Sequence, residues 1–308
     1  MKKNRVLGSI LMLVAALIWG SAFVAQTVGM ESIGPFTFTG IRISLGALAL
    51  LPVCLIKDRF EAKKNPLQEK RPFFTKRELL YGSMMGLAFF VASNFQQYAL
   101  LYTTAGKSAF ITALYIVFVP LTGVFMKKKV PMFVWAGVAI AFVGLYFLSV
   151  SPEESGLNLG DILAFVGSLF FTVQIILIEK SGEETDGVKL SLLQFIVCGA
   201  LSSILMFAFE TPKMDDIFAA TVPLLYAGLL SGGVAYTLQI ISQRNLDTTV
   251  ASLLMSMESV FAVLTAWLLI QEAMTPREIF GCVIMFAAII LAQLADGLSM
   301  KKNKKKEE

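Results

Sequence analysis

Residues 7–29 read LGSILMLVAALIWGSAFVAQTVG, a run of 23 residues without a charged side chain. A helix needs roughly 20 mostly apolar residues to cross the hydrocarbon core of a bilayer. The run is too long for the apolar region of a cleaved signal peptide, and further runs of the same kind follow it. We therefore interpret it as an uncleaved first membrane-spanning helix.

The whole chain is more apolar than a soluble domain. Of its 308 residues, 56% are apolar and 16% are charged, against roughly 45–50% and 25% in soluble domains. Helices are expected, because lipid cannot satisfy backbone N–H and C=O groups and the runs lack the alternation of barrel strands. We predict an all-α membrane protein with ten transmembrane helices, numbered as spans 1 to 10. They are residues 7–29, 34–56, 79–101, 105–126, 131–150, 160–179, 189–209, 219–240, 248–270 and 276–295.

The positions of lysine and arginine orient these spans, because cytoplasmic segments carry an excess of both residues. With the N-terminus inside, 22 of them lie in inner segments, 3 lie in outer segments and Arg42 lies within span 2. A missed span would place every later segment on the opposite side of the membrane, so the excess of lysine and arginine in the inner segments supports an even number of spans. We predict a multi-pass protein of the cell membrane with both termini in the cytoplasm.

The two halves of the chain resemble each other, which indicates an internal duplication. Five spans is an odd number, so the halves must cross the membrane in opposite directions, as in the inverted repeats of secondary transporters. We predict one five-helix repeat in residues 1–150, a second in residues 151–308 with a basic cytoplasmic tail, and equivalent places for Gln96 and Gln239. The matching stretches are residues 8–17 with 160–169, 91–96 with 234–239 and 117–118 with 260–261, the last two at one offset of 143 residues.

Three motifs point to a known family. Span 1 contains ALIWGSAF at residues 16–23, span 2 contains Pro35-x(6)-Arg42, and span 9 contains ASLLMSMESVFA at residues 251–262. With these motifs the chain resembles the EamA-type family of the drug/metabolite transporter superfamily, in two copies over nearly its whole length. The resemblance implies ten helices in an inverted repeat and a central cavity lined by spans 1, 3, 4, 6, 8 and 9. It also implies transport of small metabolites, often amino acids or related compounds.

The chain departs from this family at one repeated position. The family usually has a proline just before the Val-Phe of spans 4 and 9, where this chain has Ile116 and Ser259. If that proline helps to bend the two spans, they must bend here by another means.

Polar side chains at membrane depth are costly to bury and are therefore candidates for function. If they face one centre, they form an amphipathic pocket with aromatic walls and amide hydrogen-bonding groups. The alternative is that they only join helices, since a hydrogen bond between spans contributes about 0.6 kcal/mol on average. The candidate substrate-binding residues are Trp19, Gln26, Asn94, Gln97, Tyr98, Thr112, Tyr115, Gln174, Tyr236, Gln239 and Glu258.

Glu258 lies near the middle of span 9, roughly 16 Å from its inner end at 1.5 Å per residue. A lone carboxylate at this depth is expensive unless it is protonated or paired. Arg42 is the basic residue that lies well inside a span, which makes it the obvious partner. Three roles stay open for Glu258: ligand of a substrate amine, carrier of a proton, or half of a structural pair with Arg42.

The sequence offers little for other chemistry. It has no histidine, and its three cysteines lie inside apolar runs, so neither a metal site nor a disulfide framework is indicated. Gly106-Lys107-Ser108 resembles the end of a phosphate-binding loop, but Leu101 stands where that motif needs a glycine. We expect no enzyme activity, no cofactor or metal ion, and no binding of ATP or nucleic acid.

These observations favour a secondary transporter that carries small metabolites, with amino acids or related compounds as candidates, by alternating access. Its driving force is a gradient or an exchange, and proton coupling is one option. The alternative is a membrane channel or a structural membrane protein, and a membrane-embedded enzyme is the least favoured interpretation.

Overall fold

The computed structural model describes residues 2–64, 72–103, 105–128, 130, 132–149, 158–270 and 274–307. Throughout these residues all regular secondary structure is helical. We number the α-helices α1 to α14 in chain order, and one π-helical segment lies between α10 and α11. Their bounds are Lys2–Met30 (α1), Pro35–Lys64 (α2), Lys76–Ala99 (α3), Ala105–Thr112 (α4), Tyr115–Phe125 (α5), Met132–Ser149 (α6), Leu159–Ser181 (α7), Gly187–Phe209 (α8), Met214–Ala219 (α9), Thr221–Leu225 (α10), Tyr226–Ala235 (the π segment), Tyr236–Gln243 (α11), Thr248–Met255 (α12), Met257–Ile270 (α13) and Pro276–Glu307 (α14).

Seven helical stretches among the described residues are long and apolar enough to cross a membrane, judged by length and composition. They coincide with predicted spans 1, 2, 4, 6, 7, 8 and 9, and a shorter apolar helix, Val134–Phe147, lies in span 5. Spans 3 and 10 lie on α3 and α14, which are not among the seven. The protein is thus all-helical with several apolar spans, and the total of ten stays a prediction. The seven stretches are Arg5–Met30, Pro35–Lys64, Lys107–Phe125, Leu159–Ser181, Gly187–Phe209, Thr221–Gln243 and Thr248–Leu269.

Two predicted spans are interrupted near their middle although the family's proline is absent. Span 4 consists of α4 and α5 with a break at Ala113 and Leu114, and span 9 consists of α12 and α13 with a break at Ser256. Ala113 and Ser256 lie three residues before Ile116 and Ser259, and they are 143 residues apart. In span 8 the backbone follows the π segment, a geometry often found at functional sites.

Capping residues fix where the helices begin at the edges of the apolar zone. Thr75 and Glu78 form a capping box at α3, in which the Glu78 carboxylate accepts a hydrogen bond from the Thr75 N–H at 2.8 Å. Asn158 and Asp161 form the same arrangement at α7. Each box satisfies backbone N–H groups that a helix start leaves without partners.

Close packing organises the bundle. Helix α3 packs against α7 and α8, and α2 packs along α8. Helix α1 packs along α13 and the π segment, and α6 packs along α14. Small residues allow this proximity, since a Cβ at Gly82 would lie 2.6 Å from Leu193 Cβ and one at Gly144 would lie 2.9 Å from Met285 Cγ. The apolar outer surface fits a lipid solvent, because soluble proteins rarely expose so much of it. Exposed side chains include Leu48, Leu80, Phe125, Phe207, Val222 and Val283.

Ion pairs join α2 to the start of α8 at one end of the bundle, the predicted inner end. Lys57 Nζ lies 2.6 Å from Asp186 Oδ2, and Lys189 Nζ lies 2.8 Å from Asp58 Oδ1. Burial acts to raise the pKa of Asp186, but the ion pair with Lys57 and the Val188 N–H outweigh it and hold this pKa below its ordinary value. The contact between Lys57 and Asp186 therefore stabilises the fold at neutral pH and loses strength as the pH falls through the lowered pKa of Asp186.

Candidate substrate cavity

A narrow cavity lies inside the bundle. The centre of a water molecule can occupy only about 30 Å³ of it. Spans 1, 3, 4, 6, 8 and 9, which the resemblance implies as lining elements, each contribute, and span 2 adds Arg42. The lining side chains are Trp19, Phe23, Gln26, Arg42, Gln96, Thr112, Tyr115, Phe171, Gln174, Ser231, Tyr236, Gln239, Met255 and Glu258.

Most of the candidate residues predicted from the sequence meet at this cavity. Whether they bind a substrate stays a prediction, but their common location is a property of the structure. Eight of the eleven lie on its wall: Trp19, Gln26, Thr112, Tyr115, Gln174, Tyr236, Gln239 and Glu258.

The three candidates on span 3 lie elsewhere. Asn94 donates a hydrogen bond to Ser202 Oγ of α8 at 2.7 Å, and Gln97 is fully buried without a side-chain hydrogen bond to the described residues. The Tyr98 ring stacks on Phe36, with ring centroids 5.5 Å apart. The structure therefore places a different residue of α3, Gln96, on the cavity wall.

Six lining residues are not among the eleven candidates. Two of them, Phe23 and Phe171, add apolar surface to the wall, and two of the other four had a usable signal in the repeat. Gln96 matches the candidate Gln239 at the repeat offset of 143 residues, and Met255 matches the candidate Thr112 at the same offset. Arg42 was considered only as a partner of Glu258. Nothing in the sequence singled out Ser231, which the π segment brings to the cavity.

Amide side chains form similar contacts on two sides of the cavity. Gln96 Nε2 donates to Thr112 Oγ1 at 3.4 Å, and Gln239 Nε2 approaches Met255 Sδ at 3.6 Å. Both pairs are separated by 16 residues. Gln239 Nε2 also donates to Gln174 Oε1 at 3.2 Å. The amides are thus held in place by one another and by neighbouring spans.

An aromatic cluster forms one wall. The Tyr236 ring lies 4.8 Å from the Trp19 ring and 4.6 Å from the Phe89 ring between centroids, in tilted and edge-on orientations. Such pairs are stabilising beyond the area that they bury. Trp19 Nε1 is buried without a hydrogen-bond partner among the described residues, so the wall retains an unused donor.

Glu258 and Arg42 both face the cavity without contacting each other. Tyr115 donates a hydrogen bond to Glu258 Oε1 at 2.9 Å, and the Glu258 side chain is only 7% exposed. Arg42 is 2% exposed, and its Nε has no hydrogen-bond partner among the described residues. The ion pairs found among the described residues do not include these two side chains. The direct structural pair that the sequence left open is therefore not formed.

Glycine in the π segment fixes the backbone around Arg42. A Cβ on Gly228 would lie 2.8 Å from the Arg42 carbonyl oxygen, and a Cβ on Gly46 would lie 3.0 Å from the Gly228 carbonyl oxygen. Because neither glycine has a side chain, α2 and the π segment approach closely at this point. This contact holds the Arg42 backbone against span 8.

Comparison with known proteins gives consistent matches. The model of the EamA-like transporter family matches residues 6–150 and residues 158–294. An uncharacterized transporter of Archaeoglobus fulgidus is 32% identical over 91% of this chain and 83% of its own length. The threonine/homoserine exporter RhtA of Escherichia coli is 26% identical over 97% of this chain and 94% of its own length. A solved crystal structure matches with a TM-score of 0.75 at 16% identity, over 94% of this chain and 98% of that one, which shows likeness of fold alone.

Proposed function

The chain belongs to the EamA-like transporter family, and we propose that it is a secondary transporter that carries small metabolites by alternating access. The observation that carries this proposal is the cavity, because it gathers charged, amide and aromatic side chains from seven predicted spans inside an apolar bundle. Polar groups at such depth are typical of a substrate path. We assign substrate contact to the eight candidates on its wall, and not to Asn94, Gln97 or Tyr98.

We further propose that the ten spans form two inverted five-helix repeats, residues 1–150 and 151–308, with the boundary outside the described residues. The two family matches and the breaks at Ala113 and Ser256 support this arrangement. Tyr115 and Glu258 are also 143 residues apart and form a hydrogen bond with each other. A residue that contacts its own repeat equivalent lies near the axis that relates the repeats, so this pair marks the axis.

Two ion pairs join span 4 to span 6, one at each predicted side of the membrane, where the proposed alternating-access cycle needs gates. Lys107 Nζ lies 2.7 Å from Asp161 Oδ2 at the predicted outer end, and Lys128 pairs with Glu179 at the predicted inner end. We propose that the outer pair separates in the outward-open state and the inner pair in the inward-open state. The narrow cavity between them then corresponds to an occluded state that must widen to admit substrate.

Amino acids and related compounds are the proposed substrate class. The name of the relative RhtA, a threonine/homoserine exporter, supports this class. Exchange or an ion gradient, with the proton as one candidate, is the proposed driving force.

Counterflow in liposomes tests the carrier function. We expect that labelled threonine or homoserine enters proteoliposomes at a saturable rate, and that the same unlabelled compound trapped inside accelerates entry. The reason is that a carrier returns faster when it is loaded on both sides. Protein-free liposomes are the control. Flux that rises linearly with concentration and ignores the trapped compound would identify a channel. If neither these nor other amino acids, nucleosides and sugars move, the protein is not a carrier of this class.

Terminus accessibility tests the proposed topology. We expect tags at both termini to be inaccessible to an impermeant reagent in intact cells and to react after permeabilisation, because 22 lysines and arginines then lie on the inner side. A tag placed after Lys213, in a predicted outer segment, is the matched control and should react in intact cells. Labelling of the C-terminal tag in intact cells would contradict the even number of spans.

A further inference from the structure

Two buried opposite charges in one cavity lack a partner of opposite charge. Glu258 accepts a hydrogen bond from Tyr115, and the Arg42 guanidinium lies over the Phe38 ring, 5.9 Å from its centroid. Arg42 is 2% exposed and Glu258 is 7% exposed, and neither belongs to an ion pair within the described residues. An unpaired charge away from water is expensive, whereas a charge that meets a ligand of opposite sign is stabilised. If the two side chains served only to neutralise each other, direct contact would be the favourable arrangement.

The space between the charges limits what can bind there. A simple cation would satisfy Glu258 and leave Arg42 unpaired, and a simple anion would do the reverse. A neutral molecule would satisfy neither. A small zwitterion satisfies both, since it presents an anionic group to the arginine and a cationic group to the glutamate.

The remaining contacts fit this occupant. Tyr115 occupies Glu258 Oε1, which leaves Oε2 for a second donor such as an ammonium group. The planar guanidinium of Arg42 offers several N–H donors in the fork geometry that matches a carboxylate. Tyr236 lines the same cavity as both charges, and its ring belongs to the aromatic wall against which an apolar side chain can pack.

We propose that Arg42 binds the α-carboxylate of an amino acid and that Glu258, held by Tyr115, binds its α-ammonium group. This inference rests on the proposed carrier function and specifies how its substrate is recognised. Selectivity then depends on both charged ends of the ligand, while the amides of Gln96, Gln174 and Gln239 contact the rest of it.

End-group analogues test the inference on the wild-type protein. The purified protein is screened for thermal stabilisation by the common L-amino acids, by their methyl esters, which lack the carboxylate, and by their N-acetyl derivatives, which lack the ammonium group. A ligand that binds the native state raises Tm in a concentration-dependent way. We expect at least one unmodified amino acid to stabilise the protein, and both of its derivatives to need at least tenfold higher concentration.

Substitutions of Arg42 and Glu258 test separately which charged end of the ligand each residue binds. In Arg42→Gln the preference for the amino acid over its methyl ester should disappear, while the preference over the N-acetyl derivative remains. In Glu258→Gln the preference over the N-acetyl derivative should disappear, while the preference over the methyl ester remains. Arg42→Lys keeps a cation and should retain part of the preference, which protects the test if Arg42→Gln does not fold. Arg77→Gln and Glu78→Gln remove charges outside the cavity and should leave both preferences unchanged.

The outcomes separate this inference from the carrier function. If N-acetyl derivatives or esters bind as well as the free amino acid, the zwitterion assignment is wrong. The zwitterion assignment is also wrong if nucleosides or sugars show saturable counterflow while no amino acid binds. In that case the protein is still a carrier. If no compound shows saturable counterflow, the proposed function itself fails.

Discussion

Replacing Glu258 with Gln is expected to reduce amino acid transport at least tenfold and to leave the protein folded. Gln has nearly the same shape as Glu, and its amide oxygen can still accept the Tyr115 hydrogen bond, which is 2.9 Å long in the wild type. It loses the negative charge, however, and a hydrogen bond to a charged group contributes about 1.5–3 kcal/mol. The measurement is the initial rate of counterflow at equal amounts of monodisperse protein.

The same substitution should also remove a pH dependence. A proton on the Glu258 carboxyl competes with the substrate ammonium group, so transport by the wild type should fall as pH falls. An amide cannot take up this proton, and the residual activity of Glu258→Gln should therefore vary little over the same range. Tyr115→Phe is the companion variant, because it removes the hydrogen-bond donor and keeps the carboxylate with its pH response.

A structural role for Glu258 predicts a different result. If Glu258→Gln fails to fold and Arg42→Gln added to it restores folding, the two residues form a structural pair in another state of the protein. Transport at the wild-type rate with unchanged pH dependence would exclude both the substrate and the proton role. Glu78→Gln, at another buried carboxylate, controls for the general effect of losing a buried charge.

The positions of the apolar helices followed from simple sequence properties. Apolar runs of sufficient length indicate spans because lipid enforces helices, and most of the predicted runs coincide with helices of the structure. The breaks within spans 4 and 9 and the π segment of span 8 were not predictable in this way. Apolar length does not encode such interruptions, and in the π segment the close approach of Gly228 to the Arg42 backbone joins residues that are far apart in sequence.

The candidate site was partly predictable for a related reason. Helical spacing shows which side chains share a face, and in spans 1, 4, 6, 8 and 9 the chosen face meets the cavity. Helix α3 packs between α7 and α8, so several of its faces are buried, and spacing alone did not identify the one that turns to the cavity. Asn94 therefore contacts Ser202, and Gln96, which matches Gln239 at the repeat offset but was not chosen as a candidate, lies on the cavity wall.

Gly20 holds α1 against α13 at the residue that carries the proposed ammonium site. A Cβ at this position would lie 2.6 Å from the Glu258 carbonyl oxygen and 2.7 Å from the Ala262 N atom. These are backbone atoms, which cannot rotate away, so any side chain forces the two helices apart. Separation would also shift the Glu258 side chain away from Tyr115.

Gly20→Ala is therefore expected to lower the free energy of unfolding, and Gly20→Val to lower it further and abolish transport. Overpacking of an interior typically costs about 1–3 kcal/mol, which exceeds the gain of up to about 1 kcal/mol from replacing glycine by alanine in a helix. Gly123→Ala is the matched control, because the nearest atom to its added Cβ is 3.7 Å away, and it should be neutral or stabilising.

Thermal unfolding of the purified variants measures the difference, and a Gly20→Ala variant as stable as Gly123→Ala would show that α1 and α13 do not cross this closely. If Gly20→Ala has a lower Tm but intact transport, the contact between α1 and α13 is structural and does not position Glu258. If both are lost together in Gly20→Val, while Gly123→Ala retains both, the helix crossing at Gly20 sets the geometry of the proposed site.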